Sequence, residues 1–551
     1  MKNKVLIVAL LFFCTLTAGY TQPPANWFNL DLTQDSVPGI STERTYQTLL
    51  KGKKSRPVIV AVIDSGIDFD HEDLKNVMWV NEDEIPNNGI DDDGNGYIDD
   101  IHGWNFLGNK DGKNLEFDLF EVSRLYLDYK KYFQGKDTLK LNKDDISKYN
   151  QYKEYEKVIA EKKAAAQEEL MFYAALYDAV KEFNKAIKKD TVTYEDVKKF
   201  RSKDQRMNAV ANIVLSEMAT GKSYDEFKDI IKQGFDHYYS TVNYHYNLSY
   251  DGRKMIVGDN PNDPYERYYG NNNVKAAHAE HGTHVAGIIA ADRSNKIGMK
   301  GVADNVRIMA IRAVPDGDER DKDVANAILY AVDNGAAVIN MSFGKGASPY
   351  KEAVEKAIKY ALKNDVLLVH GAGNDSKQNE PNNSFPNDYF AKKGLFSPRF
   401  ADNWIEVGAT HWKKGTDLVA YFSNYSPDHV DVFAPGVDIY STVPDSKYKN
   451  NQGTSMSAPI VSGLAGVLRA YFPDLTAKQV KDIIMQSVTK MNIKVKKPGS
   501  DDLVSFNQLS VTGGVVNLYK AVELASQTRG KRKFSWGQRN KTSKNNPVAI
   551  P

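Results

Sequence analysis

The chain alternates between short, unbroken apolar runs and stretches of helical period. The first run is VIVAVI, Val58 to Ile63, set between the basic turn Lys51–Lys54 and the polar segment that begins at Asp64. Runs of this kind, bounded by turn residues, read as strands buried on both faces, as in a parallel sheet. Others follow at 306–314, 336–344, 366–374 and 404–410, and amphipathic helical patterns at 323–335 and 350–364 lie among them. The alternation predicts an α/β fold with a mostly parallel central sheet flanked by helices.

Residues 115–250 break the alternation. Over 151–189, Tyr152, Tyr155, Ile159, Ala166, Leu170, Tyr173, Tyr177, Val180, Phe183 and Ile187 recur mainly at three- or four-residue steps, with Lys and Glu on the other faces. That pattern predicts an amphipathic helix. Ser223 and Glu226 have the spacing of a capping box opening a second helix over 224–240. An inserted helical subdomain is expected here, packed and solvated, and able to contact a partner whose identity the sequence leaves open.

The termini set the compartment. Lys2 and Lys4 precede an apolar run from Val5 to Leu16, followed by Thr17-Ala18-Gly19, so residues 1–22 read as a secretory signal peptide too short to span a bilayer. Export to the periplasm or exterior is expected, with no stable membrane insertion afterwards. The single cysteine, Cys14, lies inside this run behind Phe12 and Phe13, where a lipoprotein signal needs small residues. The mature chain would therefore lack disulfides, which favours another cross-link such as a bound cation. The last 25 residues, 527–551, hold seven Lys or Arg and no acid and read as a flexible basic tail. A net charge of +1 over 551 residues gives no global field pointing to nucleic acid.

Three separated segments carry candidate chemistry. Asp64 ends the first buried strand, His281 and His284 stand where a helix begins in EHGTHVAGIIA, and Ser455 stands at another helix start in GTSMSAP. Functional groups of open α/β sheets gather beyond the carboxyl ends of the strands, so these segments can converge. A serine hydroxyl needs an imidazole to take its proton, and the imidazole needs a carboxylate to fix its tautomer. Asn374, at the end of VLLVHGAGN, and the Ser455 backbone N–H can donate to an oxyanion.

Together VIDSGI around Asp64, HGTHVAG around His281, VINMSFG around Ser342, GAGN around Asn374, VDVFAPG and GTSMSAP around Ser455 resemble the subtilisin-like serine peptidases. The order Asp, His, Ser is that of subtilisin, and the resemblance covers about 57–110 and 255–525. It implies a secreted endopeptidase acting on polypeptides through an acyl-enzyme, with Asp64 orienting the imidazole, His281 as base and acid, Ser455 as nucleophile and Asn374 on the oxyanion. It makes His284 structural and gives Ser342, Phe343 and Gly344 contact with extended substrate. The organisation expected is a signal peptide (1–22), an N-terminal extension (23–56), a peptidase domain (57–114 and 251–526), the helical insertion (115–250) and the tail (527–551). About 35 residues between signal and first strand leave no room for the family's usual folding-assisting propeptide.

Glu280-His281-x-x-His284 is not the HExxH order of zinc hydrolases, so zinc chemistry is disfavoured. A catalytically silent binding protein of the same fold is the other alternative. Asp316, Asp318, Glu319 and Asp321 read as a solvated acidic loop, or else as a cleft edge favouring basic substrate residues. Finally, GIDDDGNGYIDD (89–100) offers a calcium loop: Asp91, Asp93 and Asn95 side chains, the Tyr97 carbonyl, and Asp99 or Asp100. The twelfth position is His102 where an EF-hand has glutamate, and IHGWNF beyond it reads as a strand, so a stapling rather than a sensing role is expected.

Overall fold

The computed structural model describes residues 23–390 and 399–532. The signal-peptide expectation, and the tail from 533 onward, lie outside the described residues. Nine strands form one sheet: β1 (Val58–Asp64), β2 (Gly103–Asn105), β3 (Val306–Arg312), β4 (Ala336–Met341), β5 (Leu367–Gly371), β6 (Trp404–Thr410), β7 (Val432–Pro435), β8 (Thr489–Lys490) and β9 (Gly514–Val515). Their order is β8-β9-β7-β6-β5-β4-β1-β3-β2, and every pairing is parallel except the β8–β9 edge.

Central β1 shows why an unbroken apolar run was needed. Successive side chains point to opposite faces, and both faces are covered. Val58, Val60 and Val62 enter one core, shared with helices α5 (Glu280–Ala290) and α8 (Thr454–Tyr471). Ala61 and Ile63 enter the other, beneath α6 (Asp321–Asp333) and α7 (Lys351–Lys363).

The segment before β1 is less peripheral than an extension implies. Trp27 and Phe28 are fully buried in the first core, and the Trp27 indole N–H donates to the Asp438 carbonyl. The expected tail also starts later than residue 527. Arg532 donates its backbone N–H to the Asp474 carbonyl, and its guanidinium, almost entirely buried, pairs with Asp365 at 3.1 Å.

Between β2 and α5 the chain is rich in helix: α1 (Glu121–Phe133), α2 (Lys143–Ile187), α3 (Gln205–Ala219) and α4 (Tyr224–Ser240). The Ser223 hydroxyl accepts from Glu226 N and the Glu226 carboxylate from Ser223 N, so the capping box opens α4 as its spacing predicts. This region has its own small core around Phe183, Val210, Val214, Phe227 and Ile231. No helix of the described residues is long and apolar enough to cross a membrane.

Candidate active site

β1 ends on Asp64, and the first turn of α5 brings His281 against it. The imidazole Nδ1 lies 2.8 Å from Asp64 Oδ1, which also accepts from Ser65 N at 2.7 Å. The Asp64 side chain is 3% exposed and that of His281 41%, so the ring has one edge on the buried acid and another open to solvent. Gly282 permits the approach, since a Cβ there would stand 2.2 Å from the Gly66 carbonyl oxygen. Desolvation opposes charge on His281, but the Asp64 charge and hydrogen bond outweigh it and hold the pKa above the ordinary imidazole value.

His284, one turn further, is a different case. It is fully buried and donates Nε2–H to the Lys449 carbonyl at 3.1 Å. Burial drives its pKa down to about 3, so it stays neutral and ties α5 to the hairpin formed by Ile439–Val443 and Lys447–Asn451.

Ser455 is the second residue of α8, behind Gly453 at φ +145°, a conformation that favours glycine. Its hydroxyl donates to the Ser342 carbonyl at 3.1 Å, and the Ser342 hydroxyl donates to the Ser455 carbonyl at 3.0 Å. The structure thus joins Asp64 to His281 and Ser455 to Ser342, with no hydrogen bond between Ser455 Oγ and His281. Hydrogen bonds of this sort commonly tighten only with substrate present.

Asn374, just past β5, accepts at Oδ1 from the Thr454 N–H (2.9 Å) and hydroxyl (3.1 Å). That fixes the amide and leaves Nδ2 as the outward donor. A Cβ built on Gly453 would stand 3.4 Å from Asn374 Nδ2 and 3.6 Å from Ser455 N, so both donors border one small space kept open by glycine. Ser342, Phe343 and Gly344 follow β4. The strand-like exchange between Lys345 and Phe385, N to O in both directions at 2.9 and 3.0 Å, braces them.

The acidic segment after β3 is not a freely solvated loop, because its acids find partners within the fold. Asp318 accepts from Glu121 N, Asp321 pairs with the Lys345 ammonium at 2.9 Å, Asp316 faces His245, and Glu319 is buried. Their partners lie on α1, just past α4 and on the segment after β4, far off in sequence.

Of the proposed calcium ligands, the fold gathers Asp93 and Asp100 and adds Glu84, which the sequence reading missed; one oxygen of each lies within 4.8 Å of the others. Asp91 is turned to Asn95 N and Gly96 N, and Asp99 caps Asn88 N and Gly89 N. Asn95 presents its amide nitrogen to Asp93 and Asp100. Tyr97 packs its ring against Trp104 and Tyr330, a contact separate from the carbonyl expected as a ligand. Burial raises the pKa of all three gathered carboxyls, that of Asp100 to about 7. Three clustered carboxyl groups make an all-oxygen set of the kind that fits a hard divalent cation.

A histidine paired to a buried carboxylate, a serine at a helix start and an amide donor beside it, all at the carboxyl edge of a parallel sheet, make the layout of a serine hydrolase. Residues 55–508 match the model of the subtilase family, Peptidase_S8. The chain belongs to that family of serine-type endopeptidases. It is 41% identical over 189 residues to the thermophilic serine proteinase of Bacillus sp. (strain AK1), spanning 34% of this chain but only 42% of that protein. Thermitase of Thermoactinomyces vulgaris is 34% identical over 44% of this chain and 75% of its own, and subtilisin DY of Bacillus licheniformis 36% over 38% and 71%.

Proposed function

We propose that this chain is an exported serine endopeptidase that cleaves polypeptides through an acyl-enzyme. Ser455 Oγ attacks the scissile carbonyl carbon while His281 Nε2 takes its proton. Asp64 keeps Nδ1–H in place and stabilises the imidazolium. The oxyanion sits between Asn374 Nδ2–H and Ser455 N–H. His281 then gives the proton to the leaving amine, and water, activated by the same imidazole, hydrolyses the ester. Ser342, Phe343 and Gly344 hold the substrate backbone. The observation that carries this reading is the 2.8 Å Asp64–His281 contact, and the glycine-cleared space before Ser455 supports it.

Residues 57–114 and 251–526 would form the peptidase unit, and 115–250 a helical subdomain free to meet a partner. Calcium would be held by Glu84, Asp93 and Asp100. It would supply charge neutralisation and a cross-link in the long connection after Asp64, and take no part in the chemistry.

The deciding experiment compares wild type with Ser455→Ala for casein hydrolysis and labelling by a fluorophosphonate probe. Both are lost in the variant if Ser455 is the nucleophile. Full proteolysis by the variant overturns the assignment.

A further inference from the structure

Strand β5 carries a charged clamp that catalysis does not require. His370 is 1% exposed and lies opposite Glu406 in the β5–β6 register. Its Nδ1 faces both Glu406 oxygens at 3.0 and 3.1 Å, and its Nε2 faces the Phe343 carbonyl at 2.7 Å. Both ring nitrogens therefore meet oxygens that only accept. A neutral imidazole has one N–H and would leave one lone pair against another, whereas an imidazolium satisfies both contacts. Glu406 is itself fixed by the Trp404 indole N–H at 2.9 Å, and its backbone N–H donates to Asp431.

We propose that His370, held as an imidazolium by Glu406, is a positioning residue: it anchors the Phe343 carbonyl, and its deprotonation loosens the Ser342–Gly344 segment that docks substrate backbone. This rests on the peptidase reading and on giving that segment to substrate. The segment has no slack elsewhere. A Cβ at Gly344 would stand 3.1 Å from the Phe385 carbonyl oxygen and 3.7 Å from His370 Nε2, so the three elements are in close contact.

The charged surroundings of the clamp favour the cation. Glu319 approaches from the loop before α6, with Lys345 bonded to its carbonyl. Asp388 and Asp431 lie near Glu406, and Lys481 pairs with Asp431 at 3.6 Å. Burial opposes the His370 charge, and Glu406 more than offsets it, placing the pKa above the ordinary imidazole value. The anchor is thus present at low pH and lost as pH rises through that raised pKa.

The test measures KM and kcat separately for a tetrapeptide anilide across pH in wild type, His370→Gln and Glu406→Gln. Losing one bond to a charged donor corresponds to about a tenfold change. Wild-type KM is expected to rise about tenfold on the alkaline side. In His370→Gln, whose amide carries no charge, KM is raised and independent of pH. In Glu406→Gln the step moves to lower pH. A flat wild-type KM, or profiles in the variants that coincide with wild type, overturn the proposal. If His370→Gln does not fold, Glu406→Gln alone decides by the same criterion. Fluorophosphonate labelling of wild type runs alongside. Its absence overturns the peptidase reading, whereas normal labelling with unmoved KM overturns only the clamp.

Discussion

His281 Nδ1 and Asp64 Oδ1 stand 2.8 Å apart although 217 positions separate them in the chain. The contact sets both a tautomer and a pKa. Asp64→Asn removes the acceptor charge and, with wrong-tautomer imidazole, lowers kcat by about 10,000-fold. In its proposed role as base His281 must be neutral, and its pKa is raised. Activity should therefore climb with pH through a midpoint above the ordinary ~6.5, and the acid limb of kcat/KM reports it.

The Asn374 amide is oriented by two bonds from Thr454, one residue before Ser455. Asn374→Ala should reduce kcat about 100- to 1000-fold and change KM little. Thr454→Val, which deletes the hydroxyl but keeps the backbone N–H, should cost less, and steady-state kinetics on one peptide substrate separates the two.

Glu84, Asp93 and Asp100 place three carboxylates together in the structure. Removing calcium with EDTA should lower Tm and resistance to self-digestion before it lowers the rate per intact active site. Glu84→Gln should weaken the protection that added calcium gives. An EDTA-treated protein with unchanged Tm would falsify the cation site.

Lys345, one residue past Gly344, donates to Glu121 of α1 at 2.6 Å, and both side chains are buried. Glu121→Ala leaves Lys345 with Asp321 and Arg124 with Asp118 as remaining partners, and the lost charged hydrogen bonds should destabilise by about 1.5–3 kcal/mol in chemical denaturation. The pair also predicts acid sensitivity. The Glu121 pKa is held down to about 2: burial opposes this, and Arg124 and Lys345 prevail. Its contribution is present above the unfolded value of ~4.3 and lost as pH falls towards about 2.

The strands were legible because a parallel sheet needs side chains buried on both faces, and VIVAVI or WIEVGAT satisfy that without partners being known. The triad candidates were legible because each sits where a strand ends or a helix starts. What escaped depends on partners distant in sequence. Glu84 looks like one more acid in NEDEIPNN until the 91–100 loop folds back over it. Asp318, Glu319 and Asp321 look solvated until α1 and Lys345 close around them. His370 sits in an apolar run as an isolated polar residue, and only the β5–β6 register reveals Glu406. Trp27 and Phe28, in a polar stretch, give no periodic signal of the core they fill.

The place of β1 in the sheet has a consequence for how the molecule is made. It lies between β3 and β4, which arrive roughly 240 residues or more later. At ~5–20 residues per second, the apolar strand ending in Asp64 waits on the order of ten seconds or longer for its neighbours to be synthesised. The helix bearing Ser455 follows later still. On the proposed assignment, the chain cannot cut anything, itself included, until that helix exists.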